Sequence, residues 1–278
     1  SAASDVYKRQ GAWGGIHICG RAHTNAEGGK GSSEIGGAVY GGNDDADNSG
    51  TLQYIRLEYT GFAFDEEHEA NGISFYGVGN GTIVDHCQAY KGSDDGFEFF
   101  GGSVNVSNLV AVSCSDDSFD WTEGWNGKGT NLVAYQEAES TLGYDCDCLM
   151  ECDNNGSNNA ATPVAHPVLK NLILVGNGGS KQGIRLRAGT EVEIDNAKVC
   201  GKGQPLTVET ALTENALKNG TSKLTNITLT SELSCKEGIY THADFIAVTS
   251  NKVNANLSYS SFEDIKKECS WMNGSWVK

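Results

Sequence analysis

Two acidic pairs, Asp94-Asp95 and Asp116-Asp117, stand 22 residues apart, and each runs into an aromatic segment with a further acid, Phe97-Glu-Phe-Phe100 and Phe119-Asp-Trp-Thr122. If these segments stack, the four aspartates crowd one corner, with Glu98 and Asp120 beside them. Carboxylates that close repel, so they require a cation, an arginine, bound protons or a network of hydroxyl donors. Hard oxygen ligands at adaptable distances suit Ca²⁺, whereas Zn²⁺ would want His and Cys. A second calcium candidate is Asn43–Gly50, where Asp45, Asp47 and Ser49 precede Gly50 as in the first half of a calcium loop, without the distal bidentate Glu. Stacked turn aspartates can instead cap backbone N–H groups. Glu66-Glu67-His68-Glu69 reads as a solvated loop, and Asp145-Cys-Asp-Cys148 through Cys152 as a disulfide or buried segment rather than a soft-metal site.

The elements that must position these acids form a repeat. Residues 82–102 align with 104–124, and a strand opening recurs at Asn108, Asn131, Asn171, Asn196 and Asn226, with Tyr54 and His86 in the same place earlier. That period is one coil of a solenoid. Each coil holds a second strand: Ile73–Tyr76, Phe97–Phe100, Phe119–Thr122, Met150–Asp153 and Ile184–Arg187. Period-two alternation sends Ile73, Phe97, Phe119 and Ile184 inward with Phe75, Phe99, Trp121 and Leu186, and the other strand buries Ile55, Cys87, Leu109, Leu132 and Leu172. The pattern predicts an all-β chain, a right-handed parallel β-helix with short capping and inserted helices. Residues 209–220 read as an inserted helix and 260–272 as a helix capping an open end, with the segment around residues 11–20 as the other cap.

Alternation also defines two outward columns. One reads Ser74, Glu98, Asp120, Glu151, Arg185; beside it run Tyr76, Phe100, Thr122, Asp153 and Arg187. Exposed rings beside carboxylates suit a saccharide, with Tyr76 and Phe100 meeting CH faces and Glu98, Asp120 and Glu151 accepting hydroxyls. Trp125 and Tyr135 are candidate flanking platforms. Glu98 and Asp120 would lie about 5 Å apart, a separation compatible with a retaining glycosidase, but any acidic ladder on neighbouring coils has that spacing. A lyase would need a base near calcium, and only Arg185 and Arg187 are at hand.

Composition narrows the function further. The chain of 278 residues carries 20 Lys+Arg against 36 Asp+Glu, a net charge of −16, which argues against a nucleic-acid partner. A polyanionic substrate would be repelled unless calcium bridged it. Thirty-six glycines against three prolines suit many short strands. No apolar run is long enough to span a membrane. Nine cysteines without zinc-finger spacing favour an exported protein. Residues 1–10 look like translated adapter sequence from a metagenomic assembly, leaving residues 11–278 as one domain.

With WGGIHICG (13–20), GGNDDADNSGTLQYIRLEYTGFAF (41–64), GSDDGFEFFGGSVNVSNLVA (92–111), DDSFDWTEGWNGKG (116–129) and ATPVAHPVLKNLILVG (161–176), the chain resembles secreted bacterial β-helix proteins, and among them carbohydrate-binding module family 89. The Gly-His-Gly segment of polygalacturonase-like hydrolases is absent, and Gly183–Arg187 only loosely resembles their Arg-Ile-Lys segment. The resemblance implies a non-catalytic module, appended to a catalytic domain of a secreted plant-polysaccharide-degrading system and binding xylan. No ligand motif carries over by position, so the candidate residues rest on the ladder.

Overall fold

The computed structural model describes residues 9–64 and 68–278. Two parallel sheets of eight strands each run the length of the molecule and enclose a shared core. The first stacks Ile16–Cys19, Ile73–Tyr76, Phe97–Phe100, Phe119–Thr122, Met150–Asp153, Gln182–Arg187, Gln204–Val208 and Ser234–Cys235. The second stacks Thr51–Glu58, Ile83–Tyr90, Asn105–Val112, Lys128–Tyr135, Val168–Val175, Glu193–Cys200, Lys223–Leu229 and Lys252–Val253. This is the right-handed parallel β-helix that the repeat predicts. A two-stranded antiparallel pair, Gly31–Ser32 with Val39–Tyr40, sits in the long segment after the first strand.

Register follows the inward columns. Ile73, Phe97 and Phe119 align, as do Phe75, Phe99 and Trp121, and Met150 aligns with Ile184. Neighbouring rings stack, Phe75 on Phe99 at 4.9 Å and Phe97 on Phe119 at 5.5 Å between centroids. Like side chains in successive coils therefore bury one another, which no single coil could do. Coils approach closely just before the first-sheet strands: a Cβ at Gly96 would lie 2.6 Å from the Ser118 carbonyl oxygen.

Among the described residues, four short α-helices interrupt the coils: α1 (Glu139–Leu142), α2 (Ala211–Lys218), α3 (His242–Ala247) and α4 (Phe262–Glu268). The inserted helix predicted at 209–220 is α2. The helix expected to close an open end behaves differently. α4 and the tail behind it lie across the outer face of the second sheet, where Val110, Val112, Val133, Ile173 and Val175 point outward and pack with Ile265, Met272, Trp276 and Val277. Those valines follow the inward residues in each strand, so their column is apolar on the outside and draws the C-terminal segment onto it. The far end is covered by α3, whose Phe245 joins the main core with Tyr240 and Leu233. At the near end, Ile16–Cys19 is itself the first rung of the first sheet. No helix among the described residues is long and apolar enough to cross a membrane.

Candidate functional site: an acidic cavity on the first sheet

The outward column predicted from alternation is one continuous ladder in the first sheet. Ser74 pairs in register with Glu98, Glu98 with Asp120, Asp120 with Glu151, and Glu151 with Arg185. The turns preceding these strands bring Asp94, Asp95, Asp116 and Asp117 alongside. The result is a cavity of about 550 Å³ lined by ten carboxylates, Glu34, Glu69, Asp94, Asp95, Glu98, Asp116, Asp117, Asp120, Asp147 and Glu151, with Arg185 at its edge.

Part of this charge is held by fixed donors. Asp95 accepts the Asp117 backbone N–H at 2.8 Å, and Asp117 accepts that of Cys148 at 2.6 Å, so one carboxylate ties each turn to the next coil. The Asn71 amide donates to Glu98 Oε2 at 2.6 Å. At the other end, Arg185 donates to Glu151 at 2.9 Å and to Glu209 at 3.0 Å, while Arg187 donates to Asp153 at 2.7 Å and also to Glu151. Lys181 pairs with Asp147 at the rim.

The centre stays uncompensated. Burial, then neighbouring carboxylates, push Asp94 up to about 7; burial, then Asp147 and Glu151, push Asp116 up to about 6. Asp95, Glu98, Asp117 and Asp120 are driven well above the usual carboxylate range, first by burial and then by neighbouring carboxylates, with Arg187 opposing the rise at Asp120. Glu151 is raised by burial, with Arg187 and Arg185 opposing. Such a cavity holds protons or cations near neutrality.

The donor set fits a hard cation. Three sets of carboxylates, Asp94-Asp95-Asp116, Asp95-Glu98-Asp120 and Asp117-Asp120-Glu151, bring one oxygen each to within 4.8 Å of the others. Asn71 Oδ1, beside Glu98, is buried without a partner, a neutral oxygen in reserve. Oxygen-only sets with adaptable spacing suit Ca²⁺. A fourth set, Asp117-Asp147-Cys148, includes sulfur. Burial raises the thiols of Cys146, Cys148 and Cys152, which keeps them neutral, and all nine cysteines are free. The 145–152 segment is therefore buried rather than disulfide-bonded.

The aromatic half of the sequence-based site is not on the surface. Tyr76 and Phe100 do stack, at 4.4 Å, but both are buried under Tyr40 from the antiparallel pair. Tyr40 donates to Glu123 at 2.7 Å and Tyr76 to Glu34 at 3.2 Å, which fastens that segment over the column. Trp125 is a core residue, stacked on Phe99 at 4.1 Å with its indole N–H on the Val104 carbonyl. Tyr135 belongs to the second sheet, against Phe262 of α4. Asp45 and Asp47 lie outside the cavity and have protein partners: Asp45 takes both the backbone N–H and ring Nδ1 of His23, and Asp47 takes Arg21 and the Ser49 hydroxyl.

Three cavity residues, Asp147, Glu69 and Glu34, escape the sequence reading as site residues, while Arg185 is already part of the outward ladder. Asp147 could have been found, because counting back from the register of Met150 places it with Asp94 and Asp116. Arg185 closes the same ladder at its basic end. Glu69 lies in the loop read as solvated, whose Glu66 and Glu67 fall outside the described residues; Glu34 comes from an insertion with no periodic signal.

Residues 2–278 match the family described as pectate-lyase-like β-helix domain. The chain belongs to that family. No curated protein and no solved structure matches it. Membership in this pectate-lyase-like β-helix family supports a polysaccharide-related protein, while the chemistry must be argued from the cavity.

Proposed function

We propose that this β-helix is a non-catalytic carbohydrate-binding module whose acidic cavity holds calcium and engages a plant cell-wall polysaccharide through the bound ions. The observation that carries this reading is the ten-carboxylate cavity, with its central acids buried and unneutralised. With Tyr76 and Phe100 sealed, sugar hydroxyls or uronate oxygens would complete the cation's coordination instead of stacking. In this reading the module is exported and works beside an appended catalytic domain, where roughly 10⁻⁴–10⁻³ M calcium affinities suffice. Xylan is the first ligand to test, since substituents bearing carboxylates would be bridged rather than repelled.

A β-helix hydrolase or lyase is the second reading, favoured by the close approach of Glu98 and Asp120 carboxyl oxygens. Arg185 argues against lysis. Burial works against its charge, but Glu209 and Glu151 outweigh that and raise its pKa further, so it is no proton acceptor.

Affinity electrophoresis against xylan, cellulose, mannan and pectin, with calcium or EDTA and with product assays on the same samples, tests both. Calcium-dependent retardation without product supports the module. Release of sugars or unsaturated ends would make the acids catalytic, and loss of the calcium dependence would sink the cation-mediated reading.

A further inference from the structure

The second sheet carries an outer surface of opposite character. Each long strand bends at a residue of positive φ: Tyr54, His86, Asn108, Asn131, Asn171, Asn196 and Asn226 in successive coils. Asn tolerates this conformation best among residues with a side chain. The amides also bond along the stack, Asn131 to Asn108 at 2.8 Å, Asn171 to Asn131 at 3.0 Å and Asn196 to Asn171 at 2.8 Å. A primary amide has two N–H donors and two acceptor lone pairs. Each link uses one of each at most, so every rung keeps a donor and an acceptor for something outside.

Rings border this row. Trp271, in the turn after α4, overhangs a cavity of about 320 Å³ lined by Asn131, Asn171, Asn196, Lys198 and Glu268. It stacks at 6.3 Å on Trp276, which shares an open groove of about 490 Å³ with Tyr54 and Arg56. Tyr54 is 63% exposed and stacks on His86 at 4.6 Å. Lys198 and Glu268 pair with one another, so the cavity under Trp271 carries no uncompensated charge.

We propose that this amide row and its rings form a second, cation-independent binding groove for a neutral β-linked glycan chain. Tyr54 and Trp271 meet the CH faces of sugar rings, and Asn131, Asn171 and Asn196 exchange hydrogen bonds with hydroxyls. One donor–acceptor pair per coil, roughly 4.8 Å apart, matches a polymer that presents hydroxyls at each residue along its length. Neutrality follows from charge: an anionic chain meets a protein of net charge −16, and a cationic one finds no unpaired carboxylate under Trp271. The groove stands independently of the calcium reading.

The test is titration calorimetry of the whole chain in EDTA with xylohexaose, cellohexaose and mannohexaose. At least one should bind, and Trp271→Ala and Tyr54→Ala should each weaken it about tenfold while Trp271→Tyr retains it. Asp120→Asn should leave this binding unchanged, whatever it does to calcium. A thermal melt of each variant separates loss of contact from loss of fold. The proposal is overturned if the folded wild type binds none of the three in EDTA, or if binding is indifferent to both alanine variants. Binding in EDTA without any calcium-dependent binding would remove the cation reading and leave this one.

Discussion

The two sheets are built from the same coils, yet their outer faces solve electrostatics in opposite ways. Asp95 and Asp85 show the difference within one stretch of chain. Burial and four neighbouring carboxylates drive Asp95 upward, whereas burial at Asp85 is outweighed by hydrogen bonds from Asn108, His86 and Ser107, which hold it below the usual range. On the second sheet each amide bonds the next yet keeps a donor and an acceptor to spare, and charge is closed locally. On the first, acids stack on acids and closure is left to protons or an added ion. A repeat thus lets one fold carry a charge-neutral ladder suited to hydroxyls and an acidic one suited to cations.

Several substitutions would break or sharpen this contrast. The largest effect belongs to the core both faces share: Trp125→Ala should lower stability by about 3–5 kcal/mol in chemical denaturation. Glycan affinity measured where the variant remains folded should be unchanged, since Trp125 lies inside. Next comes calcium, which should raise the melting temperature with a stabilisation of about 2.7 kcal/mol at a hundredfold excess over Kd. Asp95→Asn combined with Asp120→Asn should abolish that rise, while Trp271→Ala keeps it.

On the second sheet, Asn131→Ala removes two ladder hydrogen bonds at a position of positive φ and should cost about 2 kcal/mol. Asn131→Gly should cost less, because glycine accepts the backbone conformation. A rise in calcium affinity in either variant would show that the faces are coupled.

The smallest effect is the pH slope without calcium. Above about pH 4 the unfolded carboxyls lose their protons while the folded cavity keeps its own, so the folded state binds more protons. Stability in EDTA should therefore fall as pH rises, through about 6 where Asp116 titrates and about 7 where Asp94 does. Calcium should flatten that slope, and melts at pH 5 and pH 7.5 check it. A slope of the opposite sign would mean that the acids are ionised and paired in the folded state.

Much of this molecule is legible in the chain. The spacing of Asn108, Asn131 and Asn171 and the alternation in Phe97–Phe100 and Phe119–Thr122 suffice for the coil, the inward columns and the Glu98–Asp120–Glu151 ladder, because a parallel stack repeats its contacts at a fixed register. The exposure of those columns was not legible. Tyr76 and Phe100 occupy outward positions, but Tyr40, outside any repeat, covers them. Trp125 follows a strand rather than lying in one, so alternation does not place it.

What the sequence by itself determined is the identity and order of residues along each ladder, since period-two geometry leaves each side chain only two faces. Which ladder reaches solvent was decided by tertiary structure. Segments without periodicity, the antiparallel pair over Tyr76 and the C-terminal helix over the valines, choose their resting place by the apolar surface they find there, and that surface exists only once the coils have stacked.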